Sequence, residues 1–183
     1  MIEAQIVYSP LVSGRVIRLE PRIMLRHIMQ KQSWDCVVTC AAIVSNTTYS
    51  DACNACGDML PDRPVFAKET RKILRAVTGC TWLGPLPSFS ARLRGFRRPA
   101  TRLILIEKPR FLPRWKPVRH AILISEFMAY DPEYADPSKL GDYERRNWRV
   151  NSYYMPLNAA ILHRKQKENA KSVSPLWNDI LKT

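Results

Sequence analysis

Cys36 opens an apolar run, CVVTCAAIVS, six residues after Gln30. His120 opens a second, HAILI, 84 positions further on, and Asp131 closes a third in Tyr130-Asp131-Pro132. A thiol, an imidazole, a carboxylate and a side-chain amide are the parts of a site for nucleophilic acyl transfer. Cysteine attacks as its thiolate, and an ordinary thiol near pKa 8.5 is mostly protonated at neutral pH. The unpaired N–H groups and the dipole at a helix N-terminus favour the anion, which is where Cys36 is expected to sit. An imidazole then takes and returns the proton, and a third group fixes its tautomer. Donors are also needed for the oxyanion. The Cys36 backbone N–H and the amide of Gln30 or Gln32 are the candidates.

Among the histidines, His120 has a rigid mount at a strand start, whereas His27 precedes the helix and His163 lies in the basic stretch HRKQK. Asp131 ends the strand after His120. If the two strands pair as a hairpin, their far ends are expected to diverge, so a further return of the chain must bring Asp131 beside His120.

The elements that must position these groups fall into two halves. QIVY and RVIRL, around Val12-Ser13-Gly14, predict an N-terminal β-hairpin over residues 1–26. Cys36 to Ser45 is apolar nearly all round, which marks a core helix. A second helix starts at Thr48, whose hydroxyl can cap it, and runs to about Leu60. A third covers Ala67 to Val77, with Phe66, Ile73, Leu74 and Val77 on one face and Gly79 at its end. TRLILIE from Thr101, HAILI from His120, EFMAY from Glu126 and RVNSYYM from Arg149 predict strands. A short last helix begins at Ser174-Pro175 and carries Trp177, Ile180 and Leu181. Helices first and strands second, without βαβ alternation, predict an α+β fold.

The chain has 183 residues and 46% hydrophobic content, which predicts one domain over 1–183 with a full core. No apolar run reaches the roughly 18 residues of a membrane helix. MIEAQIVYSPLV carries no basic n-region, so no secretory signal and a cytoplasmic location are expected. Five cysteines, an odd number, argue for reduced thiols rather than a disulfide framework. Cys36-x3-Cys40 with Cys53-x2-Cys56 could in principle hold zinc through four thiolates. The first pair would have to emerge from a helix built for burial, and no metal or cofactor is expected.

Net charge is +13, from 29 basic and 16 acidic residues. From Arg92 to Arg119 there are eight arginines and two lysines against one acid, Glu107. Arg94, Arg97, Arg98, Arg110, Arg114, Trp115 and Lys116 offer contacts to an acidic protein or to nucleic acid, since aromatics between cations can stack bases while the charges hold phosphates. A solvated basic face is the plainer reading.

QKQSWDCVVTCAAIV, followed by HAILI and YDP, resembles a papain-like cysteine peptidase, closest to the C39-like group of bacteriocin-processing domains and their relatives. The resemblance covers roughly residues 27–155, through three short segments. It places the family's glutamine, aspartate, nucleophile, base and orienting carboxylate on Gln30, Asp35, Cys36, His120 and Asp131. The family usually has glycine after the cysteine, where this chain has Val37. No transporter segments follow, so an exporter's processing domain is not expected. The resemblance implies a papain-like fold with a central buried helix on a twisted antiparallel sheet, preceded by the hairpin 1–26 and followed by a basic helical tail over 156–183. It implies a thiol hydrolase that cleaves a peptide or isopeptide bond, with a peptide or protein substrate that the basic segment would bias towards acidic sequences. Two alternatives stand beside it: an acyltransferase of the same fold, and a catalytically silent basic protein that binds nucleic acid or an acidic partner.

Overall fold

The computed structural model describes residues 25–60, 63, 65, 67–87, 93, 101–107 and 119–173. The expected N-terminal hairpin, the helix from Ser174, and the basic contacts Arg94, Arg97, Arg98, Arg110, Arg114, Trp115 and Lys116 lie outside the described residues.

Helix α1 (Cys36–Ser45) is buried from Val37 to Ser45, as a stretch apolar on every side requires. A helix leaves its last carbonyls unpaired, and buried carbonyls need donors. Three sources supply them here. Asn46 takes a left-handed conformation, φ 55°, and returns its N–H to Ala42 and Ile43. Helix α4 (Ala159–Val173) brings the Gln166 side-chain amide to the Val44 carbonyl at 2.7 Å and the Asn169 amide to the Ser45 carbonyl at 2.5 Å. This helix lies ahead of the one expected from Ser174, and its Gln166 and Asn169 side chains serve the end of α1. Helix α2 (Tyr49–Cys56) is capped by the Thr48 hydroxyl, which accepts from the Asp51 N–H at 3.1 Å. Helix α3 (Ala67–Thr78) ends at Gly79, φ 68°.

The strands β1 (Trp82–Pro87), β2 (Arg102–Glu107), β3 (Arg119–Ser125), β4 (Met128–Tyr130), β5 (Ser138–Lys139) and β6 (Arg149–Pro156) form one sheet in the order β1-β6-β2-β3-β4-β5. Every neighbouring pair is antiparallel. Helices and an antiparallel sheet make the molecule α+β. Two strands were not legible in the sequence. β1 contains Gly84, Pro85 and Pro87, all poor strand residues. It survives at the sheet edge, where a proline need not donate, with an irregularity in its register between Leu83 and Leu86. Gly84 is required there, because a Cβ would fall 2.5 Å from the Tyr154 ring and 2.9 Å from the Tyr153 carbonyl. β5 has only two residues. EFMAY is shorter than expected, since Glu126 and Phe127 form the β3–β4 turn with φ 50° and 71°.

Alternation along the strands buries both faces of the sheet. Leu103, Ala121, Leu123 and Tyr154 pack with the helices in the larger apolar cluster. Ile104, Ile106, Ile122, Ile124 and Val150 pack under Leu93, Leu140 and Tyr143 in a second. Among the described residues no helix is long and apolar enough to cross a membrane.

The α4 contact generates a stability prediction. Gln166→Ala leaves the Val44 carbonyl buried without its donor, which costs about 1–3 kcal/mol. Urea denaturation should show a lower midpoint with an unchanged slope. An unaltered midpoint would mean that α4 does not support α1.

Candidate active site

The β3–β4 register pairs Ser125 with Met128, Ile124 with Ala129 and Leu123 with Tyr130. One further step sets Asp131 across from Ile122, which leaves His120 diagonal to Asp131 on the same face. The outer ends of the hairpin therefore lie side by side and do not diverge, contrary to expectation. The hairpin itself returns Asp131 to His120, and His120 Nε2–H donates to Asp131 Oδ1 at 2.6 Å.

The local sequence fixes the carboxylate. Asp131-Pro132-Glu133-Tyr134 is a turn closed by the Tyr134 N–H on the Asp131 carbonyl at 3.0 Å. Aspartate suits its first position and proline its second. The Asp131 side chain turns back to accept the Glu133 N–H at 2.9 Å. Its other oxygen accepts the Tyr143 hydroxyl at 2.5 Å and faces Arg145 Nη1 at 3.2 Å. Asp131 is 1% exposed. Burial alone would raise its pKa, but hydrogen bonds from His120, Tyr143 and the Glu133 amide hold it below the usual carboxylate value.

His120 is 4% exposed. Burial by itself would lower its pKa, yet the hydrogen-bonded Asp131 carboxylate, with Cys36 nearby, pushes it up to about 9. The imidazolium is therefore the form present at neutral pH. Asp131 occupies Nε2, so Nδ1 is the nitrogen left for the Cys36 sulfur. Glu133 Oε1 lies 3.6 Å from the same Nδ1, and Glu133 Oε2 is held by Arg145 Nη2.

Cys36 is half-buried at the first turn of α1. Asp35 stands before it without capping the helix. Its carboxylate instead holds the preceding loop, accepting the N–H groups of Lys31 at 3.1 Å and Gln32 at 3.2 Å and the Tyr49 hydroxyl at 2.7 Å. The Gln30 N–H donates to the Pro132 carbonyl at 2.8 Å, which joins this loop to the Asp131 turn. Gln32 is exposed, whereas the Gln30 amide oxygen is buried without a hydrogen-bond partner. Val37 packs into the larger apolar cluster, so its side chain is part of the core.

Three of the other thiols, Cys40, Cys56 and Cys80, are buried, whereas Cys53 is half-buried like Cys36. Cys40 donates to the Ala121 carbonyl at 3.5 Å, and burial drives its pKa well above the ordinary value. Burial also raises Cys56, to about 11, and Cys80. All five cysteines are free thiols. Among the described residues no group of three or more His, Cys, Asp or Glu side chains could hold a metal ion. His27 is occupied elsewhere, donating Nε2–H to the Tyr134 carbonyl at 2.7 Å.

His120 and Asp131 are thus joined by their side chains, Cys36 lies near enough to influence the His120 ring, and Gln30 is docked beside the Asp131 turn through its backbone. Sequence reasoning missed Glu133, Tyr143 and Arg145. The Asp-Pro turn was a signal for Glu133. Tyr143 and Arg145 lie at a single 3-10 turn, Glu144–Asn147, too short to carry a periodicity. Comparison of the chain with protein-family models and with curated proteins finds no match.

The buried pair has a defined pH window. A raised folded-state pKa means that His120 contributes stability fully present below its ordinary value near 6.5 and lost as pH rises through about 9. Asp131, with a lowered pKa, contributes above its ordinary value of 3.8 and less as pH falls below it. Asp131→Asn should therefore cost about 3–5 kcal/mol near pH 6, the scale for breaking a buried ion pair. The deficit should shrink as pH rises through about 9. Urea unfolding at several pH values checks this, and a deficit independent of pH would contradict the ion pair.

Proposed function

We propose that this protein is a papain-like cysteine hydrolase, similar in plan to the C39-like peptidases, which cleaves a peptide or isopeptide bond. One observation carries the reading: the buried His120 imidazole is held on one nitrogen by the Asp131 carboxylate, and Cys36, at a helix N-terminus, is near enough to raise the pKa of the same ring. The layout supports it, with the nucleophile on a buried helix and the base and its orienting acid on adjacent antiparallel strands.

In this mechanism the Cys36 proton resides on His120 Nδ1, and the sulfur attacks the amide carbonyl carbon as the thiolate of that ion pair. The Cys36 backbone N–H and the Gln30 amide donate to the oxyanion. The C–N bond breaks as His120 Nδ1 gives its proton to the departing amine, which leaves a thioester on Cys36. Asp131 keeps the ring oriented throughout. Water then attacks the thioester, its proton passes through His120 to the sulfur, and the acid product leaves. An acyltransferase would share the first half and use an amine in place of water. Five free cysteines suit a reducing compartment such as the cytoplasm.

Iodoacetamide at neutral pH should modify Cys36 ahead of the other four thiols, and His120→Ala should abolish that preference. Equal modification of all five would overturn the enzyme reading and leave that of a silent basic protein. A pH profile adds a second check. Amide hydrolysis should fall as pH rises through about 9, because His120 loses the proton owed to the leaving amine, while alkylation of Cys36 should not fall. Parallel decline of both would contradict His120 as the acid.

A further inference from the structure

Glu133 is the group nearest the reacting nitrogen that the mechanism above does not use. Its carboxylate lies 3.6 Å from His120 Nδ1, too long for a direct hydrogen bond and short enough for one water to touch both. The glutamate side chain is 39% exposed, so solvent reaches it, whereas His120 and Asp131 are buried. Its orientation is set from two sides. The backbone is set by the Asp131-Pro132 turn, with the Glu133 N–H on Asp131 Oδ1 at 2.9 Å. Arg145 Nη2 holds Oε2, which turns Oε1 towards the imidazole. The guanidinium is itself stacked on two rings, 5.1 Å from the Tyr134 centroid and 4.7 Å from that of Trp148. An arginine clamped this firmly does more than neutralise a surface acid. It sets a carboxylate oxygen beside the nitrogen that must deprotonate the second nucleophile.

We propose that Glu133 is a positioning residue for the resolving step, holding the water that attacks the Cys36 thioester against His120 Nδ1. The inference rests on the function proposed above. After the leaving amine has taken the proton, Nδ1 is a free base and the sulfur is acylated. A water that donates one hydrogen to Nδ1 and the other to Glu133 Oε1 is held near the thioester carbon. Its oxygen bonds to that carbon, the C–S bond breaks, and its proton passes to Nδ1 and on to the departing thiolate. Glu133 remains a carboxylate throughout. In the first half-reaction Nδ1 faces the sulfur and the leaving amine, and Glu133 has no part.

The test separates the two halves on the full chain with p-nitrophenyl acetate as probe. Wild-type protein should release nitrophenol in a fast phase as Cys36 is acetylated, followed by steady turnover. Glu133→Gln should leave the fast phase within about twofold and slow the steady phase roughly ten- to hundredfold, the scale of lost positioning. Acetyl-Cys36 should then accumulate, detected by intact mass and peptide mapping. Glu133→Asp, which keeps the charge and withdraws it by one methylene, should fall between. Equal loss in both phases, or none in either, would overturn the role of Glu133 while leaving the hydrolase reading intact. Absence of acetyl-Cys36 in the wild type, with no turnover, would overturn both.

Discussion

A carboxylate withdrawn from water persists only where protein donors replace the solvent it has lost. Asp131 is that group in this molecule. The imidazole of His120, the amide of Glu133 and the hydroxyl of Tyr143 all point their hydrogens at it, and Arg145 adds a neighbouring positive charge. These donors come from β3, from the turn after β4 and from the irregular chain between β5 and β6. The carboxylate therefore fastens a stretch that has little regular structure of its own. It also decides the chemistry available, because the charge it fixes keeps His120 protonated in a place where burial alone would strip the proton.

A second buried carboxylate does similar work beside Cys36. Asp35, 5% exposed, gathers two loop amides and the Tyr49 hydroxyl, so the chain entering α1 is shaped by α2. The two carboxylate-centred clusters meet where the Gln30 amide bonds the Pro132 carbonyl. Cys36 and His120 thus stand on opposite banks of a seam stitched by backbone as well as by side chains. Cys36 packs against the helical cluster, and Tyr143, which braces Asp131, belongs to the cluster on the other face of the sheet. The site lies where the two cores adjoin.

Helix α1 and strands β2 and β3 could be read from the chain because each has an unbroken apolar pattern. Cys36–Ser45 is apolar on every side, and HAILI has the branched residues of a buried strand. β1 was hidden because its edge position tolerates the prolines that a central strand would reject. The proximity of His120 and Asp131 was also present in the chain. A two-residue turn at Glu126-Phe127 forces the register that sets them together, but neither residue favours the left-handed backbone such a turn needs, so nothing announced it. Tyr143 and Arg145 were illegible for a different reason. Their roles depend on where an irregular segment is carried by contacts distant in sequence.

Helix α4 has a consequence for how the protein comes into being. A ribosome releases Cys36 early, with its helix complete in sequence and unfinished in bonding, since the last two carbonyls of α1 wait for Gln166 and Asn169. The partner imidazole, more than 80 residues later, also arrives after the thiol. During synthesis the thiol thus precedes the imidazole, and the end of its helix stays without its final donors until the chain has reached Asn169.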